Sequence, residues 1–363
     1  MKIISIANQK GGCGKTTTAI NLSAALAQKG KKTLLIDLDP QAHASMGLGA
    51  VKTDPANSIF AIFLSEKEGS RKIVDLTKKI EIGLELVPSH IILSTIEHEL
   101  KDREEGLMVL LRAVNAIEQK YDYIIIDCPP SLGFLTFNAL RAANEIIIPL
   151  ETSIFSLMGV GKLISMVELI KIKLHHAPHV SGLVTMYDEY SDFAEKMLHK
   201  IEQVFNEKLL KTRISYDIAL KRSQESMESI FKYDPHSRAA HDHLSLCNEI
   251  VSRDKDETPE NIFMEMRKIM NGIYGNMYTK EKIFKFYAPL AKNVYVAGDF
   301  NGWKMDDSSK LKKNDGGEWK RSFFLLPGRY RYKFVVDKLW FWDPENPKKE
   351  PNQYGGFDSI FTI

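Results

Sequence analysis

Along the first 250 residues of the chain, short apolar runs alternate with longer segments in which apolar residues recur every three or four positions. The apolar runs predict buried strands, and the periodic segments predict helices that cover them. The predicted strands span residues 3–7, 33–37, 84–88, 123–127, 145–149 and 182–186, and the predicted helices include residues 16–29 and 106–120. This alternation predicts an α/β domain built on a mainly parallel sheet.

The pattern changes near residue 282. From there, short segments rich in aromatic and β-branched residues alternate polar and apolar positions, and turn signals such as Gly316-Gly317 and Pro327-Gly328 separate them. Such a pattern predicts an all-β, immunoglobulin-like sandwich of antiparallel strands. We therefore expect a first domain over residues 1–251, a connector with a helix over residues 252–281, and a β domain over residues 282–363.

The composition is that of an ordinary globular protein. The chain has 363 residues, of which 44% are hydrophobic and 26% charged, and its net charge of +2 excludes a strongly basic nucleic-acid coat protein. Three scattered cysteines are too few for a disulfide scaffold and fit a reducing compartment. We see neither a secretory signal nor a run of 18 apolar residues, so we expect a cytoplasmic protein without a membrane span.

A glycine-rich loop follows the first predicted strand and leads into the first predicted helix. It has the sequence KGGCGKTT over residues 10–17. Glycines let backbone N–H groups surround phosphate oxygens, and the helix N-terminus behind them favours negative charge. Lys15 can reach the β- and γ-phosphates, and the Thr16 hydroxyl can bind Mg²⁺. An ordinary P-loop has glycine at the position of Gln9, whereas here Lys10 opens the loop.

Three segments in this order resemble the deviant Walker A ATPases of the ParA/MinD family. They are the loop at residues 10–17, DLDPQ at residues 37–41 and YDYIIIDCPP at residues 121–130. The resemblance covers about residues 1–250 and implies an α/β P-loop domain with ATP and Mg²⁺ as cofactors. It also implies slow, switch-type ATP hydrolysis in a homodimer that holds two nucleotides between its subunits.

The resemblance implies roles for single residues. Lys10 would reach the partner's phosphates, Asp39 would orient the attacking water, Asp127 would hold Mg²⁺ through water, and Asp37 would support the switch segment. The expected catalytic residues are thus Lys10, Lys15 and Asp39, and the expected metal-binding residues are Thr16, Asp39 and Asp127. The expected ATP-binding residues are Lys10, Gly11, Gly12, Cys13, Gly14, Lys15, Thr16, Thr17 and Met186. For Met186, a place in the core is an equally good interpretation.

Many ParA relatives bind DNA without sequence preference through basic residues in the C-terminal part of the ATPase domain. The candidates here are Lys208, Lys211, Arg213, Lys221 and Arg222. A solvated helix face is the alternative interpretation, because this region departs from the family pattern. The sequence has no helix-turn-helix before its first strand and no terminal amphipathic helix like that of MinD. We therefore expect neither operator recognition nor membrane binding.

Residues 282–363 resemble the glycogen-binding module of AMP-activated kinase β subunits and of glycogen branching enzymes. The segments VAGDFNGW, at residues 296–303, and LPGRYRYKFVVD, at residues 326–337, carry the resemblance. Glucan sites need aromatic faces for the C–H face of glucose and donors for its hydroxyls. The resemblance implies that the carbohydrate-binding residues are Trp303, Lys333, Trp340, Tyr354 and Asp358. We expect Trp319 in the core, whereas the sequence leaves the role of Trp342 open.

Together these features predict a dimerising ATPase that binds an α-glucan such as glycogen or maltooligosaccharide. Its function would be to position or recruit glycogen-like cargo, with a partner protein that stimulates hydrolysis. One alternative is a DNA-partitioning ATPase whose β module is a scaffold or a dimer contact. Another is a regulator of polysaccharide synthesis.

Overall fold

A computed structural model describes the chain over residues 1–64, 71–100, 105–117, 121–174, 176–253, 280–314, 316–325, 328–352 and 356–363. The chain divides into two compact units, Met1–Ile273 and Tyr274–Ile363. The predicted connector helix lies outside the described residues, so the proposed boundaries at residues 251 and 282 stay a prediction. Within the described residues, no helix combines the length and the apolar character needed to cross a bilayer.

The first unit is built on one sheet. Its strands are β1 (Lys2–Ile6), β2 (Thr33–Asp37), β3 (Lys78–Glu81), β4 (Leu84–Val87), β5 (Tyr123–Asp127), β6 (Glu145–Glu151), β7 (His179–Tyr187) and β8 (Leu209–Ser215). In the described chain they pair in the order β3-β4-β2-β5-β1-β6-β7-β8. All pairs are parallel except β3 with β4, which are antiparallel. The predicted α/β fold with a mainly parallel sheet is thereby confirmed.

Helices connect these strands. They are α1 (Lys15–Gln28), α2 (His43–Gly47), α3 (Phe60–Leu64), α4 (Ile96–Leu100), α5 (Val109–Asn115), α6 (Phe134–Ala142), α7 (Ile154–Leu174), α8 (Asp192–Phe205), α9 (Ile218–Glu225), α10 (Ile230–Tyr233) and α11 (Arg238–Arg253). Short 3₁₀ turns span Pro55–Asn57, Ile73–Leu76, Ile91–Thr95, Glu105–Met108 and Asn206–Lys208. Helix α1 is buried along most of its length, which matches its alanine-rich sequence. It packs into a core that includes Ile4, Leu35, Ile125 and Ile147 from neighbouring strands.

The second unit is a β-sandwich. Its strands are β9 (Lys280–Tyr287), β10 (Val294–Gly298), β11 (Lys312–Lys313), β12 (Glu318–Leu325), β13 (Arg329–Val336), β14 (Leu339–Phe341), β15 (Lys349–Pro351) and β16 (Phe357–Thr362), with a 3₁₀ turn at Asp299–Asn301. One sheet has the order β10-β13-β16-β15, with β14 also paired to β13, and the other has the order β11-β12-β9. All of these pairs are antiparallel, as predicted.

An aromatic core joins the two sheets of this unit. The Phe284 ring lies 5.0 Å from the rings of Phe300 and Tyr332, measured between centroids. Trp319 is buried in the same cluster, and its indole N–H donates to the Ala288 carbonyl at 2.9 Å. The prediction that Trp319 belongs to the core is therefore confirmed. Since its polar atom is satisfied, the side chain can be buried without an unpaired donor.

All three cysteines, Cys13, Cys128 and Cys247, are buried as free thiols. Burial raises the pKa of each thiol, for Cys247 to about 11. Protonated, buried thiols are poor nucleophiles. For Cys13 and Cys128 this burial indicates small side chains suited to tight packing.

Candidate functional sites

The predicted phosphate loop lies between β1 and α1. Gly14 caps the N-terminus of α1 with φ of 86°, and Gly12 has φ of 74°. These left-handed conformations are strained for any residue with a Cβ, which explains why the sequence places glycine at both positions. The loop thus leads directly into the N-terminus of a 14-residue helix. A phosphate chain is the ligand that this arrangement favours.

The side chain of Lys15 folds back over the loop. Its ammonium donates to the Lys10 carbonyl at 3.0 Å, and the Cys13 thiol donates to the same carbonyl at 3.2 Å. The Thr185 hydroxyl, in β7, donates to the Cys13 carbonyl at 2.9 Å. Hydrogen bonds therefore join the two ends of the loop and attach the loop to β7. The Lys15 side chain is buried against the loop.

Two carboxylates meet at the ends of adjacent parallel strands. Asp37 ends β2, Asp127 ends β5, and the two are register partners. Both carboxylate oxygens of Asp127 are buried, and among the described residues only the nearby Thr16 hydroxyl approaches them as a donor, without the geometry of a full hydrogen bond. Burial raises the pKa of Asp127 well above its usual value; the charge of Asp37 adds to the rise, and the nearby Thr16 hydroxyl opposes it.

These unsatisfied oxygens fit a hydrated cation. Mg²⁺ usually binds through one or two carboxylates, with water and substrate phosphates completing its coordination. Thr16, at the start of α1, and Asp127 can supply a hydroxyl and a carboxylate for such an ion. The residues present therefore fit Mg²⁺ bound together with a nucleotide.

Asp37 and Asp39 have different surroundings. Asp37 is fully buried; its carboxylate accepts from the Ser45 hydroxyl at 2.6 Å and the Ser45 N–H at 2.8 Å, both from α2. Burial raises the pKa of Asp37 to about 7, although the hydrogen bonds from Ser45 lower it. Asp39 accepts from the Gln41 N–H at 2.9 Å through one oxygen. Asp37 thus connects α2 to the segment that carries Asp39, and it also accepts from the Asp39 N–H at 3.1 Å; its role in a switch stays a prediction.

Lys10 has partners that the sequence analysis did not identify. Its ammonium forms an ion pair with Glu151, at the end of β6, and donates to the Ser153 hydroxyl at 2.9 Å. Glu151 lies 141 residues along the chain from Lys10, and only the pairing of β1 with β6 brings them together. The lysine expected to reach a partner is therefore held by its own chain.

Two further contacts reach the loop. The methyl group of Met186, in β7, lies 3.8 Å from the point that a Cβ on Gly14 would occupy. Met186 also has φ of 50°, which is uncommon for a side chain of this type. The Gln224 amide, in α9, donates to the Thr17 hydroxyl at 2.8 Å. Met186 thus lies beside the predicted site, and Gln224 is a contact that the sequence analysis missed.

The five basic candidates for DNA binding do not share one environment. Lys208 is only 5% exposed, which separates it from the other four. Arg213 pairs with Glu202 at 3.3 Å and lies 5.3 Å from the centre of the Tyr187 ring. Lys211 and Arg222 are exposed, and Lys221 lies over the Tyr216 ring. An exposed basic set of four remains on β8 and α9.

The predicted glucan residues Trp303 and Trp340 lie together. Their ring centroids are 6.2 Å apart and their planes differ by 39°. The Trp303 indole N–H donates to Asp299 at 3.1 Å, and the same carboxylate accepts from the backbone N–H of Arg331 at 2.8 Å. Trp340 remains 44% exposed. The half-buried Trp303 and the exposed Trp340 form an aromatic platform, and the Asp299 carboxylate fixes the Trp303 ring by its hydrogen bond.

Lys333 and Asp358 lie on the same face of the β10-β13-β16-β15 sheet as Trp340. Lys333 pairs with Ala297 across β10 and β13, and Val335 pairs with Trp340 across β13 and β14. Cross-strand partners share a face, so Lys333, two residues before Val335, shares the face of Trp340. The Lys333 ammonium lies 4.0 Å from the carboxylate of Asp358.

Asp358 has a second partner, which the sequence analysis missed. It is 5% exposed and accepts from the Asn352 amide at 2.7 Å. The Asn352 side-chain oxygen accepts from the Gly356 N–H at 3.0 Å, so this amide links Asp358 to the chain before β16. Tyr354 lies outside the described residues.

Similar sequences cover the first unit. Residues 1–180 match the family described as "AAA domain". The sporulation initiation inhibitor protein Soj of Bacillus subtilis is 38% identical over 253 residues, which cover 69% of this chain and 98% of Soj. The chromosome partitioning protein ParA of Myxococcus xanthus is 36% identical over 260 residues, which cover 71% of this chain and 90% of that protein.

Solved structures share the fold. Cobyrinic acid a,c-diamide synthase from Mycobacterium smegmatis, with a bound ATP analog and magnesium, has a TM-score of 0.60 at 27% identity. The match covers 70% of this chain and 96% of that one. The cell division ATPase MinD of Pyrococcus furiosus has a TM-score of 0.56 at 25% identity, over 69% of this chain and 99% of that one.

The second unit has its own match. Residues 283–363 match the family described as "Glycogen recognition site of AMP-activated protein kinase". The predictions of a P-loop ATPase with ATP and Mg²⁺ as cofactors, and of a module of this family, are confirmed. The chain belongs to the ParA/Soj family of partitioning ATPases, joined in one polypeptide to a glycogen-recognition module.

Proposed function

We propose that the protein is a cytoplasmic, ATP-dependent dimer that binds α-glucan through its β module and positions or recruits glycogen-like cargo. The observation that carries the proposal is the pair of the half-buried Trp303 and the exposed Trp340, on the same face as Lys333, in a chain that also has a complete nucleotide loop. Aromatic faces bury the C–H face of glucose, and the ammonium can donate to its hydroxyls. The buried free thiols support a reducing compartment.

We assign a separate role to each polar residue of the nucleotide site. Backbone N–H groups of the loop and the Lys15 ammonium would neutralise the phosphates, while Thr16 and Asp127 would hold the metal ion. Bound Mg²⁺ supplies charge stabilisation for phosphoryl transfer. Asp39 orients the attacking water, and the bonds from Ser45 to Asp37 keep the Asp39 segment in position.

Dimerisation would require Lys10 to leave Glu151. An ammonium that reaches a partner's phosphates from another subunit acts as an arginine finger does, by placing a cation where charge develops. Here the Lys10 ammonium is already paired with Glu151. When the dimer closes, Lys10 would exchange this carboxylate for phosphate oxygens of the partner's nucleotide. Glu151 therefore competes with the partner's nucleotide for Lys10.

Removing the charge of Glu151 should favour the dimer. For Glu151→Gln we expect the ATP concentration at half-maximal dimerisation to fall about fivefold, the equivalent of about 1 kcal/mol for a partly buried ion pair. Light scattering across an ATP titration measures this. Glu318→Gln is the matched control, because it breaks an ion pair with Lys320 in the other unit. A midpoint that stays unchanged or rises would contradict the competition.

A second candidate function is DNA partitioning, in which the module serves as a scaffold. The observation that favours it is the exposed basic set of Lys211, Arg213, Lys221 and Arg222. Such a set would bind phosphates without sequence preference, and the affinity would fall steeply with salt. Gln224 lies on the same helix as Lys221 and Arg222 and contacts Thr17, so bound nucleotide could influence this surface.

Co-sedimentation with glycogen separates the two functions. The purified chain is mixed with glycogen in the presence of ATP, ADP or no nucleotide, and a parallel series uses duplex DNA at increasing salt. The proposed function predicts sedimentation with glycogen and a different bound fraction with ATP. Binding to DNA alone would favour partitioning. If the bound fraction with glycogen were the same with ATP, ADP or no nucleotide, the β module would not be coupled to the ATPase site.

A further inference from the structure

A second pair of exposed aromatic rings lies on the β module, apart from Trp303 and Trp340. Trp342 follows β14 and is 41% exposed, and Phe357 begins β16 and is 43% exposed. The ammonium of Lys349, in β15, lies over both rings, at 4.2 Å from the centre of Trp342 and 4.8 Å from the centre of Phe357. One lysine therefore brings together two rings that are each about two-fifths exposed.

Two members of this cluster of Trp342, Lys349 and Phe357, namely Lys349 and Phe357, lie on the other face of the sheet from Trp340. Phe357 and Asp358 are neighbours in β16, and successive side chains of a strand leave opposite faces. Asp358 lies beside Lys333, on the face of Trp340. Lys349 pairs with Ser359 across β15 and β16, which places it on the face of Phe357. The sheet therefore separates Lys349 and Phe357 from Lys333 and Trp340.

The chemistry of the cluster is that of a sugar site. Its composition matches the first platform, with two aromatic rings and one lysine. Within the described chain, the Lys349 ammonium donates no hydrogen bond and has no carboxylate within ion-pair distance, so its donors are available for ligand hydroxyls. Lys349 covers one side of each ring, and the side that it leaves uncovered offers an apolar face of the kind that the C–H face of glucose covers.

We propose that Trp342, Lys349 and Phe357 form a second α-glucan-binding site on the module. This inference rests on the proposed glucan-binding function and adds a second point of attachment to it. Two sites on opposite faces would let one module hold two outer chains of a branched glucan. Simultaneous attachment raises the apparent affinity well above that of either site, because the second contact becomes intramolecular.

The test is calorimetric titration of the full-length chain with maltoheptaose. The wild type is compared with Trp342→Ala/Phe357→Ala and with Trp303→Ala/Trp340→Ala. Tyr287→Ala is the matched control, because it removes another exposed aromatic ring, 67% exposed, from the other sheet. Lys349→Gln leaves both rings in place and is expected to weaken the second site about tenfold, as loss of a charged donor does.

We expect two ligands per chain for the wild type and the control, and one for either double variant. The binding that each double variant keeps reports that it is folded. One ligand per chain, lost in Trp303→Ala/Trp340→Ala and unaffected in Trp342→Ala/Phe357→Ala, would overturn the second site and leave the proposed function standing. Binding lost only in Trp342→Ala/Phe357→Ala would support the second site and refute the first. No binding by the wild type would refute both.

Discussion

Replacing Asp39 with asparagine is expected to lower the rate of ATP hydrolysis about 100-fold while ATP binding is retained. Asparagine keeps the side-chain oxygen that accepts from the Gln41 N–H, so the local fold is preserved. It removes the charge that would orient and activate the attacking water. Binding contacts from the loop and Lys15 do not depend on that charge.

Two measurements separate these effects. Phosphate release gives the turnover rate, and titration with a fluorescent ATP analogue gives the affinity. Asp192→Asn is the matched control, since it neutralises an exposed aspartate in the first turn of α8, outside the loop. If Asp39→Asn hydrolysed ATP at the wild-type rate, the catalytic role of Asp39 would be wrong. If it lost ATP binding instead, Asp39 would belong to the binding contacts.

Loss of the aromatic platform should remove binding at the first glucan site. Truncating a tryptophan at the centre of a binding surface costs about 2 kcal/mol, or roughly 30-fold in affinity. We therefore expect Trp340→Ala to weaken maltoheptaose binding at that site about 30-fold, and Trp303→Ala/Trp340→Ala to abolish it. Trp340 is well exposed, so the single variant leaves the aromatic core intact.

The tryptophan variants are measured with both glycogen and maltoheptaose. A short ligand reports the site itself, whereas glycogen also reports attachment through several chains. Thermal unfolding that matches the wild type would show that affinity, and not folding, has changed. If Trp340→Ala bound maltoheptaose as the wild type does, the exposed platform would not be a glucan site.

The parallel strands were predictable because the apolar runs that form them are buried on both faces. Residues 33–37 and 123–127 were predicted with the same limits as β2 and β5. The strands β3 and β8 were missed, because they lie at the edges of the sheet and their sequences, KKIE and LLKTRIS, mix polar and apolar residues. Helix α5 is shorter in the described residues than the predicted helix at residues 106–120.

The loop itself was also predictable, because glycine and lysine at fixed spacing carry its chemistry. Its partners were not. Glu151 and Gln224 reach the loop only through strand pairing and helix packing, and neither has a local pattern that marks it. The same holds for Asn352, whose hydrogen bond to Asp358 depends on how β15 and β16 pair. The residues that would bind phosphate or glucan could therefore be predicted from the sequence. Their hydrogen-bond and ion-pair partners could not.

The burial of all three thiols has a practical consequence for labelling this protein with fluorescent dyes. Cys13, Cys128 and Cys247 are enclosed and their pKa values are raised, so maleimide dyes should react with them slowly in the folded chain. A cysteine introduced at the surface would then be the main site of labelling, without prior removal of the native ones. Energy transfer between dyes on two chains would test whether ATP assembles a dimer, and a dye on glycogen would test whether the chain binds the particle.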